Sequence, residues 1–454
     1  MVETVERADV SALPLAPKSP LGYRRRVAAM RAVHTGAEEL RDAGGPVTQV
    51  SLGPRWLMPR LVIVTSPQGH RDVLGSGAVT DKTRTHAEMR HLIGSNLFDL
   101  THGPWLPRRR ALQPVFTKQR VSAFSDHIAE AAKAIAKRWS DGATVDLDAE
   151  CRKLTLRALG HAMLGLDLDE HAETIAEPLR TVVEYVTDRG LNPVNAPRWL
   201  PTPAQRRART ARATLRRFAT DIVRKCRDDP DHDAPLVQSL IAATDPATGK
   251  SLSDSDICNE LILFLIAGHD TTATTLAYSL WALGHHPDIQ ERVRAEVAGI
   301  GDRELTADDV PRLGYTIQVL QEAMRLCPPA ATIGREAKQD IEVDGYRVCA
   351  RTLILAGTYA MHRDPALWDN PLVFDPERFS PENSKGRNRW QYLPFGGGPR
   401  SCIGDHFAML EATLALATII RRTEINSAEA DFPVVAPFTM VAAGPIPASV
   451  TSRT

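Results

Sequence analysis

A lone cysteine, Cys402, stands inside the run Phe395-Gly-Gly-Gly-Pro-Arg-Ser-Cys-Ile-Gly404. Downstream, Ile403, Phe407, Leu410, Leu414 and Ala417 recur at helical spacing, which predicts a buried helix over 403–422 with the cysteine at its N-terminus. Unpaired backbone N–H groups and the positive end of the dipole stabilise an anion there, so a sulfur at this point loses its proton more readily and accepts hydrogen bonds as a thiolate. Gly396, Gly397, Gly398 and Gly404 remove side chains on either side, leaving backbone against which a flat macrocycle can lie. Such a thiolate is suited to hold an iron. A free cysteine is more often a small buried hydrophobe. The pattern Phe-x-x-Gly-x-Arg-x-Cys-x-Gly, however, arises by accident on the order of once in ten thousand chains of this length.

A second group with chemical capacity lies in the apolar tract from Ser253 to about His285. Leu261, Leu263, Phe264, Leu265 and Ile266 are followed by Ala267, Gly268 and then Asp270-Thr271-Thr272. Asp and Thr hydrogen-bond their own backbone and weaken a helix interior, and a helix that departs from its own rules in the middle usually does so for function. An alcohol beside a carboxylate can pass a proton through water. The residues alone do not choose between Thr271 and Thr272.

The elements that must position these groups read as mainly helical. Helical periodicity covers roughly 104–120, 125–139, 150–164, 203–226, 254–285, 288–298, 312–327 and 403–422. Two hairpins are predicted, one from the stretches 47–53 and 59–66 around Gly53-Pro54, the other from Ile341-Glu-Val and Tyr346-Arg-Val around Asp344-Gly345. The chain has 454 residues, with 55 Lys+Arg against 55 Asp+Glu, so it can bury a large core and carries no net field to recruit nucleic acid or an acidic membrane. The six cysteines show no Cys-x-x-Cys spacing, which fits a reducing compartment. The N-terminal stretch Met1 to Asp9 has neither the basic start and apolar core of a signal peptide nor a membrane-spanning run. A soluble, cytoplasmic protein without a membrane span is expected.

Four further motifs precede the cysteine loop: Trp105-x-x-x-Arg109, Ala267-Gly268-His269-Asp270-Thr271-Thr272, Glu322-x-x-Arg325 and Pro376-Glu377-Arg378-Phe379. In this order, over nearly the whole length, the chain resembles the cytochrome P450 family of haem-thiolate monooxygenases, and the bacterial members in particular. The resemblance implies a single domain over 1–454, an α-rich body with a long central helix over the haem and a minor β-rich region drawn from about 45–75, 335–360 and 430–454. It implies haem b (Fe-protoporphyrin IX) ligated by Cys402, with Phe395, Gly404 and Ala267 against the macrocycle and the two propionates met by Trp105, Arg109, Arg335 and Arg400. It assigns Thr271 and Asp270 to proton delivery, with the stretch around Gly268 as an oxygen-binding groove, and makes Glu322, Arg325 and Arg378 a brace for the cysteine loop.

Carried over by position, the substrate wall comprises Leu97, Phe98, Ile266, Ala267, Ala330, Ala331, Ile333 and Phe438, with Thr332 and Thr439 as its few polar groups. Such a lining favours a lipophilic small molecule, and the motifs lean toward fatty-acid-, terpenoid- and steroid-oxidising members. The segment Pro197 to Pro203 and the arginines that follow fall where the family has its access lid. No electron-carrying module follows Cys402 before Thr454, so a separate ferredoxin and NAD(P)H ferredoxin reductase are expected alongside O2. Arg108, Arg110, Lys118, Arg120, Lys385 and Arg387 are candidates for the docking patch. Two other readings stay open: a peroxide-driven peroxygenase, against which the Asp270-Thr271 pair argues, and a non-catalytic haem-binding or haem-free protein.

Overall fold

A computed structural model describes residues 10–453 apart from 55, 57, 78, 140, 166–171, 193 and 194. The reading of the N-terminal stretch Met1 to Asp9 lies outside the described residues. The chain falls into two compact units: residues 1–83, 330–371 and 387–401 form the first, and 84–329, 372–386 and 402–454 the second.

The first unit is built on a five-stranded sheet whose strands run in the order Val47–Val50, Leu61–Val64, Leu353–Ala356, Ile333–Ala337 and Thr80–Asp81. Leu61–Val64 pairs antiparallel with Val47–Val50 and parallel with Leu353–Ala356. Leu61–Val64 is buried at every residue, as expected of a central strand covered on both faces, and this explains its unbroken apolar run. The second hairpin, Ile341–Val343 with Tyr346–Val348, forms as predicted. Its turn residues Asp344 (φ 50°) and Gly345 (φ 80°) both take the left-handed conformation that a two-residue hairpin turn requires. Val62, Val64, Val73, Val343, Ile354, Met361 and Trp390 pack into the core beneath.

The second unit is helical. Its principal helices are α1 (Arg84–Ile93), α2 (His102–Leu112), α3 (Ser125–Arg138), α4 (Leu147–Leu159), α5 (Ala172–Leu191), α6 (Pro203–Asp228), α7 (Asp254–His285), α8 (Pro287–Ala298), α9 (Gly314–Leu326) and α10 (Asp405–Arg422). α7 has the predicted bounds. Ser253 caps it by accepting from the Asp256 N–H, Asp254 and Asp256 complement the dipole in the first turn, and burial from Ile257 to Ile266 fixes the rest.

Several expectations need correction. The tract 104–120 is not one helix: α2 stops at Leu112 and gives way to a 3-10 helix over Gln113–Phe116, where Pro114 cannot donate to a continuing ladder, and then to a short α-helix over Lys118–Ser122. α10 begins at Asp405 rather than 403. The tract 430–454 does not join the sheet of the first unit. Its strand Pro447–Ser452 pairs instead with Thr144–Asp146 and Thr423–Ser427, inside the second unit. Among the described residues no helix is long and apolar enough to cross a membrane.

Candidate functional site

In the first unit, the loop from Phe395 to Ser401 is shaped by its glycines. Gly396 and Gly398 both have φ near +70°, and a Cβ on Gly398 would lie 2.0 Å from the Leu74 carbonyl oxygen. These glycines answer first to the loop's own backbone and neighbours, and only then to any ligand. Gly404 differs, because a Cβ there would meet nothing within 4 Å.

Cys402 opens the last segment of the second unit. Its side chain is exposed while the other cysteines are buried or half-buried, and all six are free. Gly404, the N-cap of α10, donates its N–H to the sulfur, and the Arg109 guanidinium acts on it electrostatically. Burial among protein atoms nevertheless pushes the thiol up, outweighing both, with Asp405 adding to the rise. The sequence expectation of a readily ionised thiol is thus corrected: the helix contributes one N–H at a distance of two residues, and desolvation dominates. A thiol whose proton is held this way by desolvation gives it up to a metal ion rather than to the solvent.

Opposite requirements meet on α7. The helix is continuous through Gly268, which is filled from outside: a Cβ there would stand 3.2 Å from Leu159 of α4. Gly268 is therefore a packing notch. The open face belongs to its neighbours, since Ala267 is exposed and Thr271, one turn on, is half-buried within an otherwise buried helix. The Thr271 hydroxyl donates to the Ala267 carbonyl at 2.7 Å, leaving its oxygen lone pairs for a donor on that face. Thr272 points elsewhere, toward the fully buried Glu411 of α10, whose carboxyl burial pushes well above the usual range. Geometry thus separates two threonines that the sequence could not.

Asp270 is held by partners the sequence did not reveal. It pairs with Arg152 of α4 and with His269 Nδ1 at 3.1 Å, and Arg152 also bonds Asp148 at 2.7 Å. Burial raises its pKa, but the His269 hydrogen bond and the His269 and Arg152 charges outweigh it and hold the carboxyl low. Arg152 was missed because only the ordinary i, i+4 pairing of Asp148 with Arg152 marks it in the sequence.

Of the four residues expected at the propionates, Trp105 is buried in α2 and stacks on His102, and Arg109, one turn later, lies within electrostatic reach of Cys402 and Asp405. Arg335 and Arg400 line a water-sized cavity of the first unit with Asp81 and Lys82. Burial lowers Arg335 to about 10, countered by Asp81. Arg400 also faces Asp81, at 4.0 Å.

The expected substrate wall divides likewise. In the second unit Phe98 packs edge-on to Phe438 at 5.6 Å and stacks on His86 at 4.5 Å, beside the buried Leu97, and Ile266 is buried on α7. In the first unit Ile333 lies 3.5 Å from where a Cβ of Gly396 would stand, the Ala331 carbonyl accepts from the Tyr359 N–H, Ala330 is half-buried and the buried Thr332 Oγ1 has no partner among the described residues.

Glu322, Arg325 and Arg378 come together as expected. Glu322 receives Arg325 Nε at 2.7 Å and Nη2 at 2.8 Å, with Arg378 Nε at 3.3 Å. The docking candidates need correction: Arg108 is bound to Asp256 and Glu260, and Arg110 to both oxygens of Asp245, so neither is offered to a partner. Lys118, Arg120 and Lys385 are exposed, while Arg387 is half-buried over the Trp368 ring.

The residues present fit haem: a desolvated sulfur with one backbone donor, empty space at the Gly404 Cβ position, and the Arg109 guanidinium within electrostatic reach. The family model described as Cytochrome P450 matches residues 23–451. A relative in Streptomyces melanosporofaciens named cyclooctat-9-en-7-ol 5-monooxygenase is 34% identical, with 85% of this chain and 83% of that protein covered. Pentalenene oxygenase of Streptomyces avermitilis is 29% identical over 85% of each. The crystal structure of the cytochrome P450DA heme domain superposes with a TM-score of 0.87 at 25% identity, covering 97% of this chain and 98% of that one. With a family match running through both units and a cysteine loop that carries its pattern, the chain belongs to the cytochrome P450 family, is a haem b monooxygenase, and uses O2, an organic substrate and redox partners.

Proposed function

We propose that this monooxygenase oxidises a terpenoid or similarly lipophilic small molecule in the cytoplasm, with electrons from a separate ferredoxin and its NAD(P)H-dependent reductase. The observation that carries the reading is the exposed residue Cys402, whose sulfur receives the Gly404 N–H at the start of α10. The terpenoid class is supported by the names of the two Streptomyces relatives and by the aromatic wall of Phe98 and Phe438. The bacterial resemblance supports ferredoxin. Free cysteines and the lack of a membrane-length helix among the described residues are consistent with the cytoplasm.

In this reading Cys402 Sγ would hold the iron, Trp105, Arg109, Arg335 and Arg400 would hold the propionates, and Phe395, Ala267 and Gly404 would border the ring. When bound, haem would supply the redox chemistry for using O2, with Cys402 as thiolate ligand adding electron push. The protein's own part is acid–base and positional. The Gly404 N–H tempers the charge on the sulfur. Thr271 Oγ1 holds a proton on the open face of α7, and Asp270, kept ionised beside Arg152 and His269, returns it through water. Leu97, Phe98, Ile266, Ala330, Ala331, Ile333 and Phe438 exclude water and orient an apolar skeleton, leaving the Thr332 and Thr439 hydroxyls for a polar group on it.

Replacing Cys402 with Ala tests the core of this reading. The variant should fold yet lose the red-shifted carbon monoxide spectrum of thiolate ligation and all oxygenase turnover, and a retained spectrum would overturn the assignment. For the partner, exposed Lys118 and Arg120 should steer an acidic ferredoxin. Reversing both charges should slow reduction by ferredoxin several-fold at low salt and leave reduction by dithionite unchanged; equal slowing of both would reject the docking role.

A further inference from the structure

Glu260 has no part in the reading above, yet it is fully buried on α7, two turns before Ala267. Its Oε1 accepts from Arg108 Nη1 of α2 at 3.0 Å and its Oε2 from the Leu97 N–H at 3.1 Å. Arg108 also reaches Asp256, one turn earlier on α7, at 2.8 Å. The segment carrying Leu97 lies directly on the helix. Asn259 donates to the Ser95 carbonyl at 3.1 Å, and a Cβ on Gly94 would come within 2.5 Å of the Asn259 amide. Within the segment, Asp99 accepts from Arg90 of α1 and from the Asn96 N–H, and the Asn96 side chain accepts from the Phe98 N–H at 3.1 Å. The stack of His86, Phe98 and Phe438 continues from there.

We propose that Glu260 is a positioning residue for substrate selection: together with Arg108 it fixes the Leu97–Phe98 peptide through the Leu97 N–H, and its loss of charge loosens that part of the wall. The substrate half of the proposal rests on reading Leu97, Phe98 and Phe438 as the distal wall.

The latch is poised to respond to pH. Burial raises the Glu260 carboxyl to about 7 against the pull of Arg108 and the Leu97 N–H, and Asp99 and Asp256 push it the same way as burial. The charged groups facing it are therefore Arg108 from α2, Asp256 from α7 itself and Asp99 from the segment, the last already engaged by Arg90. Protonation places a hydrogen on one oxygen. With the charge gone, both the bond from Arg108 and the bond from the Leu97 N–H weaken, and Arg108 falls back on Asp256. The contact is then charged and strong above about pH 7, and weakened below it.

The test is amide hydrogen exchange of the peptide spanning 94–100 in the haem-loaded protein, with rates corrected for intrinsic pH dependence. In the unmodified chain, protection should fall three- to tenfold from pH 8 to pH 6. Glu260→Gln, which keeps the shape but not the charge, should show low, pH-independent protection, and Glu260→Asp should restore part of the pH response. An unmodified protein with pH-independent protection, or a Glu260→Gln protein that matches it at every pH, overturns the latch. A separate arm distinguishes the wall. Phe98→Ala should weaken binding of pentalenene, read as the substrate-induced absorption shift, by at least fivefold, and Glu260→Gln by a smaller factor. An unchanged shift in Phe98→Ala rejects the wall reading alone, since the exchange result needs no substrate.

Discussion

Two acid–arginine pairs lie on the helices of the second unit, and they differ in what surrounds them. Glu322 and Arg325 are both wholly inaccessible, and the carboxylate accepts four hydrogen bonds, from Arg325 twice, from Arg378 and from the Asp375 N–H. Asp270 and Arg152 keep 29% and 27% of their side-chain surface accessible, and Arg152 divides itself between Asp270 and Asp148. The first pair is closed and can only hold segments together, whereas the second borders the open face of Ala267 and Thr271, where partners and protons can exchange. The same two residue types thus serve structure or chemistry according to how completely their hydrogen bonds are used up.

The sharpest way to break that contrast is to remove the cation from each pair. Arg325→Leu leaves Glu322 buried without its main partner, and breaking such a pair costs about 3–5 kcal/mol. Little folded, haem-loaded protein should accumulate, as measured by thermal unfolding and by the carbon monoxide spectrum. Arg152→Leu should cost no more than about 1 kcal/mol, since water can reach Asp270. Comparable losses in the two variants would mean that accessibility does not separate the roles.

The next largest effect falls on rates rather than on the fold. Thr271→Ala should retain haem and substrate but divert reducing equivalents to hydrogen peroxide, and Asp270→Asn should slow coupled turnover by roughly a hundredfold, the low end of what acid–base catalysis contributes. Comparing NAD(P)H consumed with product formed measures both. Thr272→Ala serves as the control, because its hydroxyl faces Glu411 rather than the open face. If it uncouples as strongly as Thr271→Ala, the division of labour between the two threonines is wrong.

What the sequence disclosed was local, and what it withheld was long-range. The i, i+3 spacing of Glu322 and Arg325, the Asp344-Gly345 turn and the bounds of α7 depend on neighbours a few residues away, where periodicity and turn chemistry act directly. Cys402 was legible because the loop's chemistry is written in one contiguous run. Arg152 opposite Asp270, Asp245 opposite Arg110 and Glu260 opposite Arg108 each join residues over a hundred positions apart. No pattern on either strand of sequence announces such meetings. The arginine triplet 108–110 shows the consequence: Arg108 and Arg110 are expected at a docking patch, but both are committed to buried carboxylates, while Arg109 lies within electrostatic reach of Cys402. The C-terminal strand failed for the same reason, since nothing in 447–452 specifies Thr144–Asp146 as its partner.

The smallest effect sharpens the comparison with a third buried acid, Glu411, which faces a hydroxyl instead of an arginine. Burial pushes its carboxyl well above the usual range, so the folded protein keeps a proton that the unfolded chain gives up near pH 4.3. Between those two pKa values the folded state binds more protons, and stability must fall as pH rises, by at most about 1.4 kcal/mol per pH unit for one such group. Below pH 4 both states are protonated and the dependence vanishes. Paired carboxylates such as Asp270, whose folded pKa is depressed, behave in the opposite sense and lose stability as the solution is acidified. Glu411→Gln keeps the shape and removes the proton, so its melting temperature should change less between pH 5 and pH 7 than that of the unmodified protein, while Thr271-dependent coupling stays as it was. Parallel pH profiles in the two proteins would show that Glu411 is ionised in the fold, and would require a cation beside it that the hydroxyl of Thr272 cannot replace.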